Sequence, residues 1–365
     1  MTFKHFTAAD DDENRRLERV LRKFLSDVPL GLIHKSMRSG FIKVNGLKKN
    51  ASYRVQKGDV LDIADFLADA RRRTHSYDDK KAESPSRPSS AYTPFTDVFA
   101  NEHIRIVNKA YGVPVQGGSS HAVPLDKLIR REYAEKAASD NEKLCSLSFV
   151  PGPLHRIDRR TTGLVAFSQS LIGAQYFSKA LAERRIGKIY TALIEGTLRE
   201  ACIWENVIEK NGEKAARAGK TFATVKVKPR EKAEDIHTAE SGRSGKKAAL
   251  TEVRPLAHGK IGGKSFTLVS VEIKTGKTHQ IRAQAAFAGF PLLGDSAYGA
   301  DFFSYTDKHG QSLFLHARTL IFEKDNPLGI PEKISAPLPS FFAQLIKTYL
   351  PAFELSTYTK SNESS

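Results

Sequence analysis

The sequence predicts an α+β fold in two parts: a small N-terminal α/β domain, then a larger body built on a mainly antiparallel sheet. Three observations predict it. The chain has 365 residues, more than one hydrophobic core usually organises, so two compact units are expected. Near the N terminus, helical periodicity gives way to short strand-like runs around Asn45-Gly46. In the body, one helical stretch separates two strand-like stretches and more strand-rich sequence follows, which suits α+β better than a regularly repeating parallel fold.

Within the first part, Leu17, Val20, Leu21, Phe24 and Leu25 recur at helical spacing, with Arg15, Arg19, Arg22 and Lys23 between them. This is an amphipathic helix with a basic face. A second short helix is expected over residues 30–37, closed by Gly40, which tolerates positive φ. Residues 41–46 lead into a tight turn at Asn45-Gly46, and Gly58-Asp59 precedes a strand over residues 60–63. Two basic helices beside a small β unit suit a clamp on nucleic acid. Charge patterning by itself equally allows a merely solvated face.

Residues 67–95 change character, with Arg71-Arg72-Arg73 and a Ser/Pro-rich stretch at 84–90. Too little apolar area is present to offset the entropy of ordering, so this is expected to be a linker that lets the two parts move independently. The expected boundaries are 1–66, 67–95, 96–350, and a loose tail over 351–365.

In the body, Ile104 to Val107 alternates as a strand should, residues 163–167 and 187–194 read as strands, and 171–184 reads as a helix. Residues 222–227 and 268–273 show period-two alternation, as in strands covered on one side. Residues 228–247, rich in charge and small residues, are expected to form a flexible basic loop. Thr278 is the expected cap of a helix over 279–288, with Gly289 past its end.

The formal net charge of +16 points to a polyanionic partner. No apolar run is long enough to span a bilayer, and residues 1–16 do not read as a signal peptide. Two cysteines, Cys145 and Cys202, are too few for a disulfide framework or a cysteine zinc site. A cytoplasmic monomer without membrane partners, metal or cofactor is expected.

The stretch around which the body is organised is Leu154-His155-Arg156-Ile157-Asp158-Arg159-Arg160-Thr161-Thr162-Gly163-Leu164-Val165. It sets one acid, Asp158, among three arginines, and nearby positive charge favours an ionised carboxylate fit to act as nucleophile or base. An acid among arginines is most often an ordinary surface ion pair. What raises the catalytic reading is a resemblance. His155-Arg156-Ile157-Asp158-Arg159 with Thr161-Thr162-Gly163-Leu164 resembles the catalytic motif of the RluA family of RNA pseudouridine synthases. Lys188 to Gly196 resembles the family's second motif. Thr275-Gly276-Lys277-Thr278-His279-Gln280-Ile281-Arg282, with Gly294-Asp295 and Tyr298-Gly299 beyond it, resembles the third. The likeness runs from about Val98 to about Ser340. Residues 1–66 resemble the RNA-binding module named after ribosomal protein S four, chiefly at Arg38, Gly40, Val44-Asn45-Gly46 and Gly58-Asp59.

The resemblance implies a mixed, mainly antiparallel catalytic domain that isomerises uridine in RNA, with large-subunit ribosomal RNA as the expected target of an RluC-type enzyme. It implies that Asp158 is the catalytic carboxylate, attacking the ribose or removing a sugar proton. The resemblance implies further that Arg282 pairs with it, that Arg156 enters the space of the flipped base, and that Tyr190 lies against the uracil. Arg15, Arg19, Arg38 and Lys43 are the RNA-binding residues expected of the N-terminal module. Taken singly, Arg282 suits a helix surface, Tyr190 a strand facing the core, and His279 a helix end. Three departures touch no proposed catalytic group: Arg160 where a polar or acidic residue is usual, Thr162 for Ser, and Ala283-Gln284 for Val-His.

A hydrolase acting on glycosidic bonds is disfavoured, because such enzymes use two cooperating carboxylates and these motifs supply one. A non-catalytic RNA-binding protein with a degenerate site is the alternative. It is expected to have lost Asp158, Tyr190 or Arg282, and all three are present.

Overall fold

The computed structural model describes residues 1–69, 93–117, 122–139, 146–217, 220–229, 248–300 and 312–355; within these, the side chains of 136–139, 210–217 and 220–223 are not described. Most of the expected linker, the loop after residue 229 and the end of the expected tail lie outside the described residues. Contacts divide the chain into two units. One comprises 1–93, 126–152 and 168–175, and the other 94–125, 153–167 and 176–365.

The first unit opens with a strand that periodicity does not announce, β1 (Phe3–Thr7). Helix α1 (Leu17–Phe24) buries Leu17, Val20, Leu21 and Phe24, the residues whose spacing predicts it. Helix α2 (Leu30–Ser39) stops at Gly40, which takes φ +81. Strand β2 (Ile42–Val44) turns at Asn45 and Gly46, both at positive φ, with Val44 and Leu47 exchanging backbone hydrogen bonds. This is the geometry that a two-residue hairpin turn requires. Strand β3 (Val60–Ala64) lies between β1 and β2, antiparallel to both.

Buried Asp12 explains why later residues join this unit. Its carboxylate accepts from the backbone N–H of Leu147 at 2.8 Å and of Ser148 at 3.0 Å, and from the hydroxyls of Ser146 and Ser148. Asp11 accepts from Leu171 N–H at 2.7 Å. A buried carboxylate is stable only when its lone pairs are satisfied in this way. The helix α3 (Leu125–Ser139) precedes this segment.

The second unit is built on a ten-stranded mixed sheet. Its strands are β4 (Phe95–Ala100), β5 (Ile104–Lys109), β6 (Thr162–Ser168), β7 (Gly187–Glu195), β8 (Cys202–Arg217), β9 (Lys220–Pro229), β10 (Ala249–Ile261), β11 (Lys264–Ile273), β12 (Leu315–Ile321) and β13 (Lys333–Ser335). The path runs β4-β5-β6-β12-β7-β11-β10-β8-β9, with β13 on β12. The β6–β12 pair is parallel, whereas β7, β11, β10, β8 and β9 pair antiparallel in succession. Helix α4 (Leu171–Ala182) follows β6, α5 (Gln280–Phe287) follows β11, and α6 (Ser340–Tyr349) packs in an apolar cluster with Phe266, Leu268 and Phe314. A second cluster joins Ile104, Ile106, Leu164, Ala166, Phe177 and Leu320.

Two glycines let the backbone close around the centre of this sheet. Gly163 has φ +107, and a Cβ there would lie 2.2 Å from the Ala317 carbonyl oxygen on β12. Gly294 has φ +77, and a Cβ there would lie 1.8 Å from the Ser312 carbonyl oxygen. Only glycine meets both demands.

Candidate active site

The loop before β6 carries Asp158, and it is pinned at several points. Asp158 accepts Thr161 N–H through its own carbonyl at 3.0 Å. His155 stacks on Phe177 and accepts the Ala166 N–H at Nε2, 3.0 Å away. Burial, with the Lys188 charge adding to it, takes the His155 imidazole down to about 3, so it stays neutral and keeps this acceptor. His155 thus serves to hold the loop against β6. Beneath the loop, buried Lys109 donates to the carbonyls of Ala110 and Arg159 at 2.9 and 3.1 Å. Burial lowers its ammonium to about 7, against the opposing pull of Asp158.

Asp158 faces a cleft of about 230 Å³ whose walls include Arg156, Lys188, Tyr190, His279 and Arg282. The three residues expected to be catalytic are therefore brought together, with Arg156 exposed at the same cleft. Arg282, 5% exposed in α5, reaches Asp158 Oδ2 with Nη1 at 3.4 Å. Its tighter partner is Asp295, gripped through Nε at 2.7 Å and Nη2 at 2.8 Å. Burial opposes the Arg282 charge, but the Asp295 and Asp158 carboxylates outweigh it and leave the guanidinium more firmly protonated than usual. A two-pronged pair of this kind fixes the plane of the guanidinium.

Tyr190 lies on β7, opposite Val271 of β11 and Ala317 of β12, and is 7% exposed. Burial raises its phenol well above the usual range, and the Asp158 charge raises it further. The ring at the cleft therefore carries a protonated hydroxyl at neutral pH.

The start of α5 differs from the expected capping. Thr278 is not the cap: His279 holds that position in the left-handed region at φ +54, with no side-chain cap bond. The Gln280 side chain does the holding instead. Its Oε1 accepts from Lys277 N–H at 3.0 Å and Thr275 hydroxyl at 2.8 Å, and its Nε2 donates to Leu250 O and Thr251 Oγ1. Left-handed backbone costs a non-glycine residue roughly 1–3 kcal/mol and persists only where its surroundings demand it. His279 Nε2 stands 3.7 Å from Asp158 Oδ2, and its Nδ1 is 2.9 Å from the Tyr298 hydroxyl.

The positions that depart from the usual motif do structural work. Arg160 donates to the Tyr111 hydroxyl at 2.8 Å and the Gly294 carbonyl at 3.2 Å, and bonds Ser312. The Thr162 hydroxyl is hydrogen-bonded to His316 Nδ1 at 2.8 Å. Buried Gln284 donates to Trp204 O, Asn206 Oδ1 and Ala249 O, and accepts from Thr251.

In the first unit, Arg15 and Arg19 line one groove together with Arg16, Arg54 and Gln175. Arg38 lines a different concavity, beside Lys48 and Lys49. Lys43 lines a third, 5.1 Å above the Phe3 ring. The four expected RNA-binding residues are thus spread over three surfaces. Among the described residues, no group of three or more His, Cys, Asp or Glu could hold a metal, and no helix is long and apolar enough to cross a membrane.

A protein-family model described as RNA pseudouridylate synthase matches residues 103–287. That stretch contains Asp158, Tyr190 and Arg282. The chain belongs to the RNA pseudouridylate synthase family. The synthase is 26% identical over 341 residues to "Ribosomal large subunit pseudouridine synthase C" of Vibrio vulnificus (strain CMCP6), covering 93% of this chain and 94% of the relative. It is 26% identical over 329 residues to the protein of the same name from Rickettsia bellii (strain RML369-C), covering 90% and 95%. Among solved structures, "Human RNA Pseudouridylate Synthase Domain Containing 1" shares the fold, with TM-score 0.50 and 21% identity over 76% of this chain and 98% of that one.

Sequence reasoning missed the tasks of His155, Lys109, Asp295 and Tyr298. Asp295 and Tyr298 stand within the resemblance, but nothing in their spacing says which residue each supports. Lys109 carries no signal beyond its place at the end of a strand.

Proposed function

We propose that this RNA pseudouridine synthase acts on uridines of large-subunit ribosomal RNA, with Asp158 as its catalytic carboxylate. The observation that carries the reading is the carboxylate itself: Asp158 faces the cleft, 3.4 Å from an arginine whose orientation a second, buried carboxylate fixes. The ribosomal target rests on the names of relatives that align over nine-tenths of the chain.

In the isomerisation the bond from ribose C1′ to uracil N1 breaks, the base turns while bound, and C1′ joins C5. The C5 proton leaves and N1 gains one, so the atoms balance without an oxidant. Asp158 attacks the sugar or removes a sugar proton, and Arg282 orients it and stabilises its charge. Tyr190 lies against the uracil, and Arg156 fills the place left by the flipped base. Extruding that base costs on the order of a few kcal/mol. Residues 1–66 form the module that offsets this cost by holding RNA through Arg15, Arg19, Arg38 and Lys43, while residues 96–350 form the catalytic domain. The reading carries with it a cytoplasmic monomer.

Mapping pseudouridines in total RNA from cells with and without the gene tests the target. Loss of specific sites from large-subunit ribosomal RNA is expected. Sites lost only from transfer or messenger RNA would refute it. Light scattering of the purified protein checks the monomer.

A further inference from the structure

Two polar groups stand close to the Asp158 carboxylate, Arg282 Nη1 at 3.4 Å and His279 Nε2 at 3.7 Å. Each is backed by a residue from one short turn. Asp295 grips Arg282, and three residues later Tyr298, whose N–H bonds the Asp295 carbonyl at 3.0 Å, reaches His279. The Tyr298 hydroxyl also accepts the Val225 N–H of β9 at 2.9 Å. Its ring lies under the Arg282 guanidinium, 5.0 Å from centroid to carbon, and meets the His279 ring edge-on.

We propose that Tyr298 is a positioning residue: its hydroxyl donates to His279 Nδ1, fixes the tautomer that carries its proton on Nε2, and so presents an N–H toward Asp158. The direction of that bond follows from counting donors. A phenol has one proton to give, and its oxygen already receives one from Val225. If His279 carried its proton on Nδ1, the bare Nε2 would face the Asp158 carboxylate 3.7 Å away, and the Tyr298 proton would have no acceptor among the described residues. Donation to Nδ1 satisfies every atom. Burial supports both halves of the arrangement. It pushes the Tyr298 phenol up to about 12, keeping the proton available, and it lowers the His279 imidazole, keeping Nδ1 free to accept. His279 has left-handed backbone, and its ring stands between Tyr298, 2.9 Å from Nδ1, and Asp158, 3.7 Å from Nε2.

The inference rests on Asp158 being the catalytic carboxylate, and the test separates the two ideas. Tyr298→Phe keeps the ring under Arg282 and removes only the hydroxyl. Single-turnover rate and RNA affinity are measured for the full-length protein on one ribosomal RNA fragment. The expected result is a roughly tenfold slower rate, equivalent to one lost hydrogen bond, at unchanged affinity. Histidine ring ¹⁵N spectra, with His279 assigned by its absence in His279→Ala, are expected to show the Nε2–H tautomer in the parent and a mixture in Tyr298→Phe. In the His279→Ala background, Tyr298→Phe is expected to cost nothing more, since its effect runs through the imidazole. An equal further loss there, or a parent-like rate and spectrum in Tyr298→Phe, overturns the inference. Turnover by Asp158→Asn in the same assay overturns the reading beneath it. A silent Asp158→Asn beside a parent-like Tyr298→Phe overturns only the part given to Tyr298.

Discussion

Asp295 holds both Nε and Nη2 of Arg282, which leaves a single nitrogen, Nη1, directed at Asp158. The guanidinium is thus committed twice over to the support and once to the site. Its attraction for Asp158 is set by where Asp295 holds it.

Asp295 is 0% exposed, and removing one partner of a buried pair strands the other charge. Asp295→Ala is therefore expected to destabilise the protein by about 3–5 kcal/mol. Urea denaturation measures this. A loss below 1 kcal/mol would mean that Arg282 finds another partner. Arg282→Lys is expected to fold but to turn over slowly, because an ammonium cannot serve both carboxylates from a fixed plane.

Asp158→Asn is expected to abolish pseudouridine formation while RNA affinity and the melting temperature stay near the parent. The amide is nearly isosteric and keeps an oxygen toward Arg282, but it supplies neither a nucleophile nor a base. Measurable turnover of ribosomal RNA by the purified variant would remove Asp158 from the chemistry.

The groove holding Arg16, Arg19 and Arg54 offers a cleaner test of RNA binding than deletion of residues 1–66. The carboxylate of Asp12 accepts from the backbone of residues 147 and 148, so deletion would strip that segment of the carboxylate it is folded around. Arg16→Ala, Arg19→Ala and Arg54→Ala together are expected to weaken binding and to flatten its salt dependence. Each lost phosphate contact lowers the slope by about 0.7 on single strands and about 0.9 on duplex. An unchanged slope would show that this groove does not touch RNA.

His316 makes stability sensitive to acid. Burial, followed by the Arg318 charge, takes its imidazole from 6.5 down to about 3. Between those values the unfolded chain binds the proton and the folded one does not, so the contribution is complete above pH 6.5 and is lost as pH falls toward 3. Each pH unit in that window costs about 1.4 kcal/mol. His316→Gln is expected to give a shallower fall in unfolding free energy between pH 6 and 4. Equal slopes for variant and parent would show that His316 titrates normally.

What could be read from the sequence follows from how local each signal is. Helix α1 is fixed by the spacing of Leu17, Val20, Leu21 and Phe24, and the Asn45-Gly46 turn by residues that accept positive φ, so both are legible. Strand β1 is not: Phe3–Thr7 is held by its partner β3, some sixty residues away, and only one side of it is covered. The site divides the same way. Asp158, Tyr190 and Arg282 stand in motifs, but no local pattern encodes the grip of Asp295 on Arg282 or the close approach of Gly294 to Ser312 beside it. At α5, Thr278 has the right chemistry for a cap, yet Gln280 already satisfies the loop, and His279 is turned into the left-handed region instead.

Tyr190 brings two separable contributions, a ring and a hydroxyl. Because burial and the Asp158 charge keep the phenol protonated, its oxygen cannot wait as a phenolate to collect the C5 proton. On the proposed reading it passes its own proton on as it takes another, or acts only as a hydrogen-bond donor. Tyr190→Phe removes that relay and leaves the ring, so it is expected to bind RNA nearly as well as the parent and to turn over much more slowly. On the same reading Tyr190→Ala also removes the surface on which the uracil stacks, worth ~1–3 kcal/mol of affinity per base. It opens a cavity beside Val271 and Ala317 as well, with a stability cost of about 3–5 kcal/mol. Melting curves must therefore accompany the binding data, so that lost affinity is counted only on folded protein. Parent-like single-turnover rates for Tyr190→Phe would leave stacking as the sole contribution. Parent-like affinity and rate in Tyr190→Ala would make Tyr190 an ordinary strand aromatic, and the proton leaving C5 would then need another acceptor at the cleft.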